Sequence, residues 1–466
     1  MSNKKLSTIK PLLSFIAIII FLSYLLTGTG CNSKEGAPKE GFKIDTVRAW
    51  NWNIFFGTST TDSLRADIRT GIEDSIVAYV KRKAPGDSAI MKWSYCPCDT
   101  LLANLDVTIV GVSTGGITPP PTKPPIGPSG DYAIDSNINI EIPEASEVYH
   151  QNIFYDSLKY QMPGLPSGTQ PNPDNRLFAI IDTGLDTTAF ATSLKNLIWT
   201  DPADPKKTLF NFLKPDGLDT LSDSNLVKHG TSATAIALGQ ITNQSKPRIM
   251  ALKAFDKNGK GTIYSVSCAL SYAIKNRASL INASWGYYGK EIDPVLNYYI
   301  KRADRMSVPI IAAAGNTLEP PGHARPYCGN NPVPGNELTG THQFFPAFLS
   351  PQFPNLVTVT GLSQSSTTHT LVPCLYQNYS NTIVSIGVWN KDPQNCCQYR
   401  VSFLGSPIEG TSFATPVVSG RYLSQLQTGV PTTARTARDI IDLFSSHVNA
   451  PTPFYTVNGR YIGYLP

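Results

Sequence analysis

Charge is scarce in this chain of 466 residues: only 16% are Asp, Glu, Lys or Arg, and 39 basic against 34 acidic side chains leave a formal net charge of +5. No long basic run accompanies that excess, so nucleic acid is not implied as a partner. No internal repeat is evident. The apolar run from about Leu12 to Leu26 falls short of the roughly 20 residues a membrane-spanning helix needs. Cys96-Pro97-Cys98 is tighter than zinc-ligand spacing and has no histidine pair beside it, so a metal is not expected there. Hydrophobic residues are not lacking, at 41% with 10% aromatics, which suits a globular protein with a sizeable core.

What is present begins with an export pattern. Lys4, Lys5 and Lys10 precede the apolar run, and T-G-T-G-C closes it at Cys31. A small-residue stretch ending in cysteine resembles a bacterial lipobox, although Gly28 stands where leucine is usual. The expectation is a signal segment over 1–31, lipid on Cys31, and a cell-envelope lipoprotein that touches the membrane through that anchor. Of the 8 cysteines, Cys328, Cys374, Cys396 and Cys397 cluster in the second half and are expected to form disulfides, with the pairing left open.

Residues 113–130, S-T-G-G-I-T-P-P-P-T-K-P-P-I-G-P-S-G, cannot pack a core and are expected to be a semi-rigid linker. Before it, residues 42–112 carry a strand pattern (Val47 to Phe56), a helix pattern (Ser63 to Lys83) and an apolar strand pattern (Val107 to Val112), enough for a small α/β module. After it, the apolar runs 177–181, 249–253, 279–284, 309–314 and 356–360 alternate with helical patterns such as T-I-Y-S-V-S-C-A-L-S-Y-A-I-K and V-L-N-Y-Y-I-K-R-A. Continuous apolar strands separated by helices predict a parallel β-sheet sandwiched by helices. Ligands of such sheets bind where strands end and helices begin.

Three residues stand at such boundaries. In G-T-S-F-A-T-P, residues 410–416, the pattern predicts a helix starting at or just before Ser412. A serine there is either an N-cap or a nucleophile served by the helix N-terminus. His229 opens H-G-T-S-A-T-A-I-A-L-G, and Asp182 ends the buried strand pattern in I-D-T-G. Singly they are ordinary, as a packed histidine and a turn former. Together, in the chain order Asp, His, Ser, they match the order of subtilisin.

The chain thus resembles the subtilisin-like serine proteases, the subtilases, over roughly residues 175–448. The resemblance rests on A-I-I-D-T-G (179–184), H-G-T (229–231) and G-T-S-F-A-T-P (410–416), supported by F-F-P-A (344–347). It implies a catalytic domain over 131–466 with Asp182, His229 and Ser412 as triad. I-I-A-A-A-G-N (310–316) is similar to the segment whose asparagine serves the oxyanion, which implies that role for Asn316. I-N-A-S-W-G (281–286) is similar to the segment whose backbone pairs with extended substrate, which implies Ser284, Trp285 and Gly286 along the cleft.

Departures are Ser232 where a second histidine is common, Ile386-Gly387-Val388 where Ala-Pro-Gly is frequent, and insertions at 318–343 and 390–400, expected at the cleft rim. A single D-T-G argues against an aspartic-protease pair. G-V-S-T-G at 111–115 mimics a hydrolase elbow, but Ser113 leads into polyproline instead of a helix.

The expected function is serine endopeptidase, acting on polypeptides through an acyl-enzyme. The alternative is an inactive subtilase fold used for binding. No cofactor is needed for that chemistry; calcium is frequent in the family, but no ligand cluster assigns it here. The N-terminal module is expected to be an inhibitory prodomain, whose removal would also release the enzyme from its anchor, or else a retained accessory domain. The closing segment T-A-R-D-I-I-D-L-F-S-S-H-V predicts a helix, and V-N-G-R a hairpin turn.

Overall fold

Alternating side chains of the first long central strand, β6 (Asn172–Asp182), go to opposite faces: Leu177, Ala179 and Ile181 enter one core cluster, Phe178 and Ile180 the other. The same parity recurs in β8 (Ser245–Lys253), where Met250 and Leu252 face one way and Ile249 and Ala251 the other. A strand buried on both faces has no polar alternation to show, which is why these runs are continuously apolar. The computed structural model describes residues 48–111, 132–141 and 171–464 apart from short segments within them, the longest being 214–221, 318–335, 392–396 and 449–454. The export segment with Cys31, the linker with Ser113, and Cys328 and Cys396 lie outside the described residues. All described residues belong to one compact unit, Thr46–Pro466.

That unit begins with β1 (Arg48–Phe56), α1 (Asp62–Lys83), β2 (Ser88–Cys96), β3 (Asp99–Val110) and β4 (Tyr132–Ser136). The four strands form an antiparallel sheet in the order β2-β3-β1-β4. Thr61 caps α1 by accepting from Leu64 N–H, and Ile68, Ile72, Ile76 and Val80 recur every fourth residue. This stripe packs on Trp50, Ile54, Leu105 and Val107. The sequence patterns predict β1, α1 and part of β3 but not β2, an edge strand in which Ile90 is exposed among polar residues. They also omit β4, which follows the linker yet completes the module's sheet.

The chain then crosses into the larger body through β5 (Asn139–Glu141), which pairs with β9 (Lys260–Thr262). The main sheet adds β7 (Phe210–Asn211), β10 (Leu280–Ala283), β12 (Ile310–Ala313), β14 (Leu356–Gln364), β16 (Ile386–Trp389) and β20 (Arg460–Gly463). All run parallel in the order β20-β16-β14-β12-β10-β6-β8-β7, with antiparallel β19 (Ser446–His447) outside β20 and β15 (Leu371–Pro373) beside β14. β11 (Tyr287–Gly289) pairs with β13 (Gln343–Phe345), and β17 (Gln398–Tyr399) with β18 (Ile408–Glu409). The strand order therefore reverses between β6 and β10, where an α/β sheet opens a crevice at its carboxyl edge.

One face carries α2 (His229–Gly239) and α5 (Thr411–Thr428); the other carries α3 (Ile263–Lys275) and α4 (Pro294–Arg305). The helix predicted at the end is α6 (Ala437–Asp442), shortened to six residues, with Thr436 and Asp439 forming a capping box. V-N-G-R is not a tight hairpin turn: Val457–Gly459 is a 3₁₀ turn that leads into β20. The module docks on α3 and α4, since Cys96 and Leu102 share their core cluster and Phe55 stacks against Tyr298 at 4.6 Å. Cys374 and Cys397 form a disulfide. Among the described residues no helix is long and apolar enough to cross a membrane.

Candidate active site

The residues singled out in the sequence stand at the carboxyl edge of the sheet. Asp182 is the last residue of β6, Ser284 directly follows β10, and Asn316 follows β12. His229 is the first residue of α2, and Ser412 lies in the first turn of α5, which packs against α2.

Asp182 and His229 are joined directly. Nδ1–H of His229 donates to Asp182 Oδ1 at 2.7 Å, with both side chains buried. A carboxylate has no proton to give, so this bond makes Nδ1 the donor and leaves Nε2 as the basic nitrogen. The imidazole packs on Phe413, the neighbour of Ser412, at a centroid distance of 4.7 Å. His229 Nε2 and Ser412 Oγ are both buried, and neither has a hydrogen-bond partner among the described residues. They are thus not bonded to each other; such bonds commonly tighten only when substrate is present.

Ser412 is not the N-cap. That position is Gly410, whose φ of 122° no L side chain adopts readily, and the Ser412 hydroxyl caps nothing. Pro416 lies in the second turn of α5, not the first, and has no N–H for the Ser412 carbonyl. Ser284 fills that gap: its hydroxyl donates to Ser412 O at 2.7 Å. Asn282 Nδ2 in turn donates to Ser284 Oγ at 2.9 Å, and Ser419 Oγ to Asn282 Oδ1 at 2.9 Å. This buried chain ties the β10 segment to α5 at two places, the Ser412 carbonyl and Ser419 two turns further on.

The side chains of Ser284 and Trp285 therefore face the interior, both fully buried, which leaves only the backbone of this segment for a cleft. Gly286 has no room for a side chain, because a Cβ there would stand 2.4 Å from Phe345 O and the Phe344 ring. Asn316 has a defined orientation. Its Oδ1 accepts from Thr411 N–H at 3.1 Å and Thr411 Oγ1 at 3.2 Å. Only the oxygen of an amide can accept from a backbone N–H, so Nδ2 is the donor end.

Sequence reasoning missed Asp223. This buried carboxylate accepts from Thr183 Oγ1 at 2.8 Å, Thr231 N–H at 2.9 Å and Thr231 Oγ1 at 2.8 Å. It thereby clamps the D-T-G turn to the first turn of α2, whose N-cap residue, Lys228, makes no side-chain capping bond. Burial pushes the Asp223 carboxyl above the usual carboxylate range; the donated bonds oppose that, and the nearby Asp182 charge adds to it. Gly230 lets the two segments meet, since a Cβ there would lie 2.3 Å from Gly184 O. The only signal in the sequence was an acid shortly upstream of H-G-T. Among the described residues no cluster of His, Cys, Asp and Glu could hold a metal ion.

Comparison with known proteins finds relatives of this fold. A thermophilic serine proteinase of Bacillus sp. (strain AK1) is 31% identical over 157 residues, covering 30% of this chain and 34% of the relative, so the match spans about a third of that protein's length. The epidermin leader peptide processing protease EpiP of Staphylococcus aureus superimposes with a TM-score of 0.51 at 16% identity, over 90% of this chain and 97% of its own. Fervidolysin of Fervidobacterium pennivorans, a keratinolytic enzyme related to subtilisin, gives 0.50 at 14%, over 90% and 61%. At such identities these two structures show a shared fold. The model of the subtilase family matches residues 174–441, which is more than half of the chain and contains every residue placed at the sheet edge. The chain belongs to the subtilase family.

Proposed function

We propose that the protein is a serine endopeptidase whose triad is Asp182, His229 and Ser412. His229 Nε2 removes the Ser412 hydroxyl proton as Oγ attacks a peptide carbonyl, and then delivers that proton to the departing amine. Asp182 holds the imidazole's tautomer and stabilises its charged form. Asn316 Nδ2 and the Ser412 N–H bind the oxyanion that develops on the carbonyl oxygen. Water then releases the acyl group by the same proton transfers reversed. No cofactor enters these steps.

One observation carries the reading. A 2.7 Å Asp182–His229 bond leaves a basic nitrogen and a serine hydroxyl buried and unpartnered, on two helices packed side by side. Most structural serines and histidines at such burial are satisfied. Ser412→Ala is expected to abolish peptide hydrolysis and labelling by a serine-directed phosphonate while the unfolding temperature stays within a few degrees. Hydrolysis that persists in the variant refutes the assignment. A wild-type chain that folds but takes no label is the inactive binding protein instead.

The N-terminal module is read as an inhibitory prodomain, supported by its docking on α3 and α4. N-terminal sequencing of mature enzyme tests this: a start beyond the linker supports it, and an intact module makes it an accessory domain. Lipid on Cys31 is proposed on the sequence pattern alone, and mass spectrometry of the first mature peptide tests it.

A further inference from the structure

The seam between module and catalytic body holds a group of thiols for which the proteolytic chemistry has no use. Cys96 ends β2, Cys98 precedes β3, and Cys268 lies within α3. The sulfurs of Cys96 and Cys98 are 3.6 Å apart, and Cys98 Sγ lies 3.5 Å from the Cys268 carbonyl oxygen. All three are free cysteines, and Cys96 and Cys268 are buried.

The surroundings fix the two halves in register. Asp99 accepts from Ser271 Oγ at 2.8 Å, Tyr299 OH at 3.0 Å and Arg302 Nη1 at 2.9 Å, so one carboxylate of the module gathers donors from both α3 and α4. Leu101 N–H occupies its other oxygen at 3.0 Å. Asp99 is thereby spent on the interface and not on the sulfurs.

We propose that Cys268 and the module's Cys96 and Cys98 are a cross-linking site: a small-molecule disulfide oxidises Cys268 and one of those two to a disulfide that joins the N-terminal module covalently to the catalytic domain. One thiolate attacks the oxidant RSSR, forming a mixed disulfide and expelling RS⁻. The second thiolate attacks the protein sulfur of that mixed disulfide and expels a second RS⁻. The two cysteine protons end on the two RSH molecules, so one disulfide is consumed and one is formed.

Burial holds all three thiols well above the ordinary cysteine range, which makes them poor nucleophiles in the docked state. The bond therefore forms while the module docks or during a local opening, and once closed it is shielded from reductants. The cross-link does not depend on whether the module inhibits. If it does, cutting the linker leaves the inhibitor in place until a reductant arrives.

The test uses the full chain with Cys31→Ser and Ser412→Ala and a site-specific protease site inserted within residues 113–130. Protein is incubated with oxidised glutathione, alkylated, cut in the linker and run on denaturing gels. Without reductant the module is expected to migrate with the catalytic fragment, and with dithiothreitol to separate completely. Cys268→Ser and the double variant Cys96→Ser/Cys98→Ser should each separate without reductant. Peptide mass mapping of the oxidised parent chain decides the matter even if a variant fails to fold. Separation of the parent without reductant, or a mapped Cys96–Cys98 bond in its place, overturns the proposal.

Discussion

Ser284→Ala removes the donor that serves the carbonyl of the proposed nucleophile. Ser412 O then loses that donor, Pro416 has no N–H to offer in its place, and Asn282 Nδ2 loses its acceptor as well. Each buried group left unmade costs about 1–3 kcal/mol, so a loss of about 2–4 kcal/mol is expected, or roughly 5–10 °C in unfolding temperature. Pro416→Ala supplies an N–H four residues after Ser412, where a regular helix would place its donor. In the double variant that N–H bonds Ser412 O, so the two substitutions together should be about 1–2 kcal/mol less damaging than the sum of their separate effects. Denaturant unfolding of the four proteins measures this coupling, and the turnover number should follow it, falling on the order of tenfold in Ser284→Ala and recovering in part in the double variant. Additivity within about 0.5 kcal/mol would show that Ser284 does not replace the missing helix bond.

Asn316→Ala should lower kcat by about 10²–10³ with little change in KM, as expected when a donor to a developing oxyanion is lost; steady-state kinetics decide, and an unchanged kcat removes Asn316 from that role. Asp223→Ala strands three buried donors on Thr183 and Thr231, and should destabilise by about 3–5 kcal/mol, measured by chemical unfolding. Gly230→Ala forces a Cβ against Gly184 O and should cost at least about 1–3 kcal/mol and most of the activity, which a thermal scan and a peptide assay check together. Lys246 is buried beneath the end of α2, and desolvation, with the Arg176 charge second, pulls it down to about 8 from 10.5. The unfolded chain holds the extra proton between those values, so this residue makes stability rise with pH across that window, by about 3 kcal/mol in all. The stability difference between Lys246→Met and wild type should shrink correspondingly from pH 8 to 10.5, and parallel curves would contradict it.

Whatever depended on local pattern was legible in the sequence. Strands such as L-F-A-I-I and P-I-I-A-A-A announce themselves because burial on both faces demands apolar residues at every position. Asp182, His229, Ser412 and Asn316 were singled out because each stands in a distinctive motif close to where a strand ends or a helix begins. β2 escaped notice because an edge strand with exposed Ile90 has no face that demands a pattern. Asp223 escaped because its meaning lies in Thr183 and Thr231, which only the folded chain brings to it. The part played by Ser284 was hidden for a similar reason: its segment was identified, but the vacancy it fills is created by a proline far away in the chain.

A polypeptide is made from its N-terminus, and the order of its elements sets when it can begin to act. The helix with Ser412 rests on β10, β12 and β14 as well as on α2, so its seat exists only after all of them have been synthesised. Carboxylate and imidazole are assembled well before the hydroxyl joins them. On the proposed assignment, a ribosome therefore handles a chain whose triad stays incomplete until α5 has been made.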